Sequence, residues 1–285
     1  MGHQLWISNS GIRRKGTTFK EIQDIFIEKI TTQHIYEPLY SAYVMDNALE
    51  IRQDLNQRDF DVVGVVDEAK QVIGYVKQED LRHGTVKDFM GPVSLENVVT
   101  DSTPIARLVP LLADKRYVFV MHGSSVEGIV TLADINKPII RLYLFGSISM
   151  FEMHLNFWIR KYYPEESWTQ SLTTKRMELA ISNFKKRQST NTALELLDCI
   201  QFCDKRDILK TNNQFLTEFN FSREQFHELL KGLESIRNEL AHSQSSIIAG
   251  LAWPVFVKSI SQLEDFLSNS EIKSENENQL PRTGL

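Results

Sequence analysis

The sequence is poor in cysteine, the residue that builds disulfide frameworks and many zinc centres. Only two of its 285 residues are cysteines, Cys199 and Cys203, and no cluster of cysteine and histidine has the spacing of zinc ligands. The two cysteines lie four residues apart in a segment, Thr192 to about Leu209, whose pattern predicts one helix, and this geometry suits a disulfide poorly. We therefore expect buried thiols in a reducing compartment, without a metal site.

Long apolar runs and an excess of positive charge are also missing. No stretch is long enough for a transmembrane helix, and no apolar signal-peptide core follows Met1, so a cytoplasmic protein without a membrane partner is expected. The composition, 42% hydrophobic and 24% charged with a net charge of −5, is that of a globular protein. The negative net charge excludes a protein that binds nucleic acid through an overall positive charge. The length allows two domains.

A repeat of about 54 residues organises the first half of the chain. Residues 1–35 precede it as a polar segment and a helix, which is predicted from Phe19 with Thr18 and Glu21 as its capping box. Each repeat then has the order helix, strand, strand, helix. These segments begin near Asp46, Val62, Gln71 and Glu79 in the first unit, and near Ser102, Tyr117, Val126 and Leu132 in the second. Each unit is too small for its own core, so the two should pack sheet to sheet.

The second repeat ends in the sequence Gly128-Ile129-Val130-Thr131-Leu132-Ala133-Asp134. A strand that delivers the chain to a helix N-terminus favours phosphate there. This sequence resembles the nucleotide signature of cystathionine-β-synthase-type (CBS) domains, and residues 36–137 resemble a tandem CBS pair. The resemblance implies that Thr131 contacts a phosphate and Asp134 a ribose, with an adenine nucleotide as regulatory ligand.

The first repeat departs from this signature. It keeps Gly74 and Asp80 but has Lys77 where the family has threonine or serine, so Lys77 could instead neutralise a polyphosphate. Alternatively, Asp80 and Asp134 only cap helices, as in CBS pairs that are purely structural.

The second half, residues 138–269, predicts five amphipathic helices, four of them in an antiparallel bundle. Near the end of the fourth lies Arg237-Asn238-Glu239-Leu240-Ala241-His242. A guanidinium can grip a phosphate and an imidazole can move a proton near neutral pH. Asn238 shares a face with His242, whereas Arg237 and His242 point about 140° apart on a straight helix. Either the helix frays near Ala241 or a second copy of the chain completes the site.

This segment resembles the Arg-x4–6-His motif of HEPN (higher eukaryotes and prokaryotes nucleotide-binding) domains, whose active members are dimeric, metal-independent endoribonucleases. The resemblance implies that Arg237, Asn238 and His242 are catalytic, and that Glu152 on the first helix faces the same site. The alternative is that Arg237 and Asn238 lie on a solvated face, that the helix dipole favours His242, and that Glu152 pairs with an arginine.

The sequence therefore predicts an α+β protein: a tandem CBS (α/β) domain, an all-α HEPN-like bundle, and a disordered polar tail over residues 270–285. The function it favours is a nucleotide-sensing endoribonuclease, resembling toxins and antiphage effectors, that cleaves RNA and requires no cofactor for catalysis. A homodimer is expected, and an antitoxin or modifying partner is possible. The alternative function is a non-catalytic regulator whose helical domain serves dimerisation or nucleic-acid binding.

Overall fold

The computed structural model describes residues 18–189, 194–242, 246–248 and 250–279. The chain forms two compact units. One comprises Phe26–Ile140, and the other comprises the described residues up to Ile25 and those from Arg141 onward. Helix α1, Phe19–Glu28, begins as expected, because Thr18 Oγ1 accepts from the Glu21 amide at 3.0 Å and Glu21 Oε2 accepts from the Thr18 amide at 2.7 Å.

Two sheets form the Phe26–Ile140 unit, which we call the α/β unit. Its elements are β1 (Glu37–Pro38), β2 (Ser41–Tyr43), α2 (Ala48–Arg58), β3 (Val62–Val66), β4 (Val72–Lys77), β5 (Val98–Thr100), α3 (Ile105–Asp114), β6 (Tyr117–His122) and β7 (Ser125–Thr131). The sheets have the orders β2-β3-β4 and β1-β7-β6-β5. In each, a helix joins a parallel strand pair and an antiparallel hairpin follows. The predicted repeat is confirmed.

The helices predicted after each hairpin are shorter than expected. The first is a single 3₁₀ turn, Gln78–Asp80, which ends where the backbone of the buried Leu81 becomes extended. The second is the 3₁₀ helix Leu132–Asn136, which stops before Lys137 because a residue preceding proline disfavours the helical conformation. Pro138 then occupies the first position of the next helix, where its missing N–H costs nothing.

Helices dominate the second unit, which we call the helical unit. They are α4 (Pro138–Tyr162), α5 (Thr174–Gln188), α6 (Phe202–Leu209), α7 (Asn213–Glu218), α8 (Arg223–Ala241) and α9 (Trp253–Gln279). Aromatic rings pack against one another in this unit. The ring centroid of Phe266 lies 4.8 Å from that of Phe151 and 4.7 Å from that of Phe219, and the centroids of Phe219 and Trp158 are 5.0 Å apart. None of the described helices is both long and apolar enough to span a bilayer.

The single helix predicted from Thr192 to Leu209 is wrong, and its first two residues lie outside the described part. A 3₁₀ turn, Leu196–Cys199, is followed by extended Ile200, and α6 starts at Phe202. The cause is local, since Asp204 Oδ2 accepts from the Gln201 amide at 2.9 Å and so caps a new helix. Cys199 and Cys203 therefore lie in different elements. Helix α7 was not predicted.

The disordered tail predicted from residue 270 is also wrong as far as Gln279; residues 280–285 lie outside the described part. Helix α9 continues to Gln279, and Ser270, Glu271 and Ser274 are buried. Ser270 Oγ accepts from Trp158 Nε1 at 2.6 Å and lies 2.7 Å from His154 Nδ1. Burial lowers the pKa of His154 to about 3, so this ring is neutral at physiological pH and its Nδ1 atom shares one hydrogen bond with Ser270.

Replacing Ser270 should destabilise the helical unit. Ser270→Ala leaves Trp158 Nε1 and His154 Nδ1 buried without a partner, at a cost of about 1–3 kcal/mol. The matched control is Ser268→Ala, two residues earlier on the exposed side of α9. Chemical denaturation of both variants measures the difference, and equal free energies of unfolding would contradict the burial of Ser270.

Candidate functional site

The second CBS-like signature is held together by its own hydrogen bonds. Asp134 is only 5% exposed. Its Oδ2 accepts from the Thr131 amide at 2.7 Å and from Thr131 Oγ1 at 3.1 Å, while its Oδ1 lies 2.9 Å from Lys137 Nζ. Thr131 Oγ1 also accepts from the Ala133 amide at 3.2 Å. Both predicted ligand residues therefore cap the Leu132–Asn136 turn, which is the role that the structural alternative assigned to Asp134.

Gly128 serves the packing of the sheet. It pairs with Pro38 where β1 joins β7. A Cβ atom at this position would lie 2.2 Å from Tyr36 Cδ2 and 2.9 Å from the Glu37 carbonyl oxygen. Glycine is therefore needed here because the chain before β1 crosses directly over the strand.

The first signature lies beside an open cavity. Unlike Asp134, both Lys77 and Asp80 are exposed. A cavity of about 360 Å³ lies against Lys77, between residues of the first repeat and residues of the second. Its lining includes Asp61, Tyr75, Lys77, Lys115, Arg116 and Tyr117. The Tyr75 and Tyr117 rings stand edge to face with centroids 6.4 Å apart, so this cavity combines cations with aromatic surface.

In the helical unit, the side chains of Arg237 and Glu152 lie close together, which the HEPN resemblance and the alternative of a pair between Glu152 and an arginine both predict. Arg237 Nε lies 3.8 Å from Glu152 Oε2. The other carboxylate oxygen, Oε1, lies 2.6 Å from the Nζ atom of Lys205 on α6. Glu152 and Arg237 line a cavity of about 130 Å³ together with Phe145, Ser149 and Leu240. This volume is small for a nucleoside, by comparison with ligand pockets of about 300–1,000 Å³, and better suited to a phosphate group.

His242 and Asn238 do not line this cavity. Helix α8 stays helical to Ala241, and His242 forms its C-cap, with its amide donating to the Asn238 carbonyl at 3.0 Å. Both side chains are exposed. Since α8 does not fray before Ala241, the predicted divergence of Arg237 and His242 remains within one chain. The catalytic roles of these residues stay predictions.

Lys205 was missed by the sequence analysis, although it had a signal. The position falls on the apolar side of α6, three residues after Phe202 and three before Ile208, and all three are buried. A lysine at a core position needs a charged partner. Burial lowers the pKa of Lys205, and the Glu152 carboxylate opposes that shift. In the described residues, no group of three or more His, Cys, Asp or Glu side chains could hold a metal ion.

Solved structures of CBS-domain proteins are similar to the N-terminal part of the chain, about 40% of its length. CBSX2 from Arabidopsis thaliana is 19% identical, with 39% of this chain and 95% of that one covered and a TM-score of 0.35. The CBS domains of a transcriptional regulator from Streptococcus pneumoniae are 20% identical, with 38% and 97% covered and a TM-score of 0.34. The CBS domain of a bacterial CNNM/CorC family Mg²⁺ transporter, in complex with ATP, is 16% identical, with 41% and 92% covered and a TM-score of 0.33.

No protein-family model matches the chain, and no curated protein matches its sequence. The α/β unit is thus similar to solved CBS-domain structures, but similarity at this level assigns neither a ligand nor an activity.

Adding one methyl group at Gly128 should destabilise the α/β unit. In Gly128→Ala the new Cβ overlaps the Tyr36 ring, and overpacking of this kind costs about 1–3 kcal/mol or more. Gly91→Ala is the control, because a Cβ there meets nothing within 4 Å. Thermal unfolding followed by circular dichroism compares the two variants, and an equal melting temperature would show that the chain before β1 does not cross the strand closely.

Proposed function

We propose that the α/β unit binds an adenine nucleotide as a regulatory ligand, in the cavity beside Lys77. The supporting observation is the lining of this cavity, in which Lys77, Lys115 and Arg116 outnumber the acidic groups Asp61 and Glu79. Cations attract phosphate groups, and tyrosine rings offer apolar contact to a base. A volume of about 360 Å³ also lies within the usual range for small ligands.

The position differs from the one that the sequence favoured. Thr131 and Asp134 were expected to be the main ligand residues, but the Asp134 carboxylate already interacts through both oxygens. A ribose would have to compete with Lys137 for this group. Asp80, in the first signature, is exposed. Asp80 is therefore the better candidate to bind ribose hydroxyls, and Lys77 the better candidate to bind phosphate.

Calorimetry with AMP, ADP, ATP and cyclic di-AMP tests this proposal. Lys77→Met should weaken nucleotide binding about tenfold or more, as expected for the loss of one charge-assisted contact. Lys87→Met removes an exposed lysine of the same unit that does not line the cavity and should leave the affinity unchanged. Absence of binding by all four nucleotides, or equal effects of the two variants, would refute the site.

We also propose that the helical unit cleaves RNA through Arg237 and His242. The observation that favours this function is the juxtaposition of Arg237 and Glu152 at a cavity of phosphate size, with the buried Lys205 bound to Glu152. Arg237 would stabilise the charge of the pentacoordinate phosphate, and His242 would move the proton of the 2′-hydroxyl or of the leaving oxygen. Asn238 would orient either group. The products would be a 2′,3′-cyclic phosphate and a 5′-hydroxyl, because the nucleophile belongs to the RNA.

In this proposal the protein is a homodimer. The side chains of Arg237 and His242 diverge by about 140° on a helix, so a second copy would supply the histidine that faces a given arginine. An antitoxin or modifying partner would then act by covering or altering this shared site. If the helical unit has no activity, the chain remains a nucleotide-sensing regulator, and the helical unit serves as its dimerisation or nucleic-acid-binding platform.

Cleavage assays with total RNA in EDTA test the catalytic proposal. His242→Ala should slow cleavage about 10²–10⁴-fold by removing general acid–base catalysis, and Arg237→Ala should cost a comparable factor. His227→Ala and Arg223→Ala, on the same helix α8, are the matched controls and should cleave normally. RNA with 2′-deoxy substitution should resist. Unchanged cleavage by His242→Ala, or cleavage that stops in EDTA and returns with Mg²⁺, would contradict the mechanism.

A further inference from the structure

The carboxylate of Glu152 is shared unequally between two cations. Its Oε1 atom lies at hydrogen-bond distance, 2.6 Å, from Lys205 Nζ, whereas its Oε2 atom lies 3.8 Å from Arg237 Nε. The Lys205 side chain is 2% exposed and the Arg237 side chain 43% exposed. Glu152 is therefore bound mainly by the buried lysine, and the guanidinium of Arg237 keeps donors available toward the cavity.

The charges of Lys205, Arg237 and Glu152 do not cancel. Two cations and one carboxylate leave one net positive charge beside a cavity of about 130 Å³. Asp198 is the next acidic group near Lys205, but it lies 3.5 Å from Arg160 Nη2 and accepts from Asn156 Nδ2 at 3.2 Å. The excess charge is thus available to an anionic ligand rather than consumed within the protein.

We propose that Lys205 is a positioning residue that keeps Arg237 open to a phosphodiester by holding Glu152 away from it. If Lys205 were neutral, Arg237 would be the cation left for Glu152 in this cluster, and a carboxylate and a guanidinium readily form a bidentate pair. That pair would occupy the donors of Arg237 and cancel the charge of the cavity. This inference rests on the RNA-cleaving function proposed above and specifies how its arginine is kept available.

Binding of an uncleavable RNA tests this role separately from catalysis. The probe is a short, fully 2′-O-methylated, fluorescently labelled RNA, whose dissociation constant is measured by anisotropy on the full chain at fixed salt. The variants are Lys205→Met, Glu152→Gln and the double variant. Lys210→Met is the matched control, because its ammonium also pairs with a carboxylate, that of Asp207 at 2.7 Å, but Asp207 does not line the cavity whereas Glu152 does.

The variants are expected to rank differently in their affinity for RNA and in their stability. Lys205→Met should bind RNA about tenfold more weakly, as for one lost charge-assisted contact, and the double variant should return to within about twofold of the wild type because Arg237 is released again. Glu152→Gln should bind at least as tightly as the wild type, although the buried, unpaired Lys205 makes this variant unstable. Lys210→Met should change the affinity less than about twofold.

Each outcome has a distinct meaning. If affinity instead follows stability, so that Glu152→Gln binds weakly and the double variant does not recover, Lys205 is only a structural residue and the inference is wrong. If the order of affinity holds but the wild-type protein cleaves no RNA in EDTA, the ribonuclease proposal fails while the positioning role stands. If the wild type does not bind the RNA at all, both fail.

Discussion

Hydrogen bonds and an ion pair from polar side chains of helix α4 connect this helix to other parts of the helical unit. This helix is buried on several sides, and a buried polar group without a partner costs about as much as several apolar contacts contribute. Glu152 is paired by Lys205, Asn156 by Asp198, and His154 and Trp158 by Ser270. These bonds fix the segment before α6 on one side of α4 and the end of α9 on another. These contacts thus hold the Ser270 region of α9 against α4 and place Glu152 beside Arg237.

The sequence predicted those parts of the fold in which local pattern and environment agree. The recurring order of apolar strands and helix starts identified both repeats, and Ser222 correctly marked the start of α8. The prediction failed where composition and burial disagree. Residues 270–279 are polar, which suggested disorder, but Ser270, Glu271 and Ser274 face α9's neighbours. Lys205 was overlooked for the same reason, because lysine is rarely buried without a partner and that partner, Glu152, is 53 residues away in the sequence.

The two repeats show how one sequence pattern can serve two purposes. In the second repeat, threonine and aspartate bind each other, and Lys137 neutralises the carboxylate. In the first repeat, lysine replaces threonine, so this mutual bond is not available. Lys77 and Asp80 are both exposed, and Lys77 lines the cavity. The departure from the signature, which at the level of sequence weakened the case for a site, therefore lies at the cavity in which we propose that a nucleotide binds.

The geometry of α8 limits how Arg237 and His242 can cooperate. A helix that remains intact to Ala241 keeps the two side chains on different sides. Arg237 lies beside Glu152, with 3.8 Å between its Nε atom and the carboxylate, whereas His242 is exposed at the C-cap. In a two-fold dimer the arginine of one copy can meet the histidine of the other, because an isologous interface presents the same surface from both sides. Under the catalytic proposal, activity and dimerisation are therefore a single property.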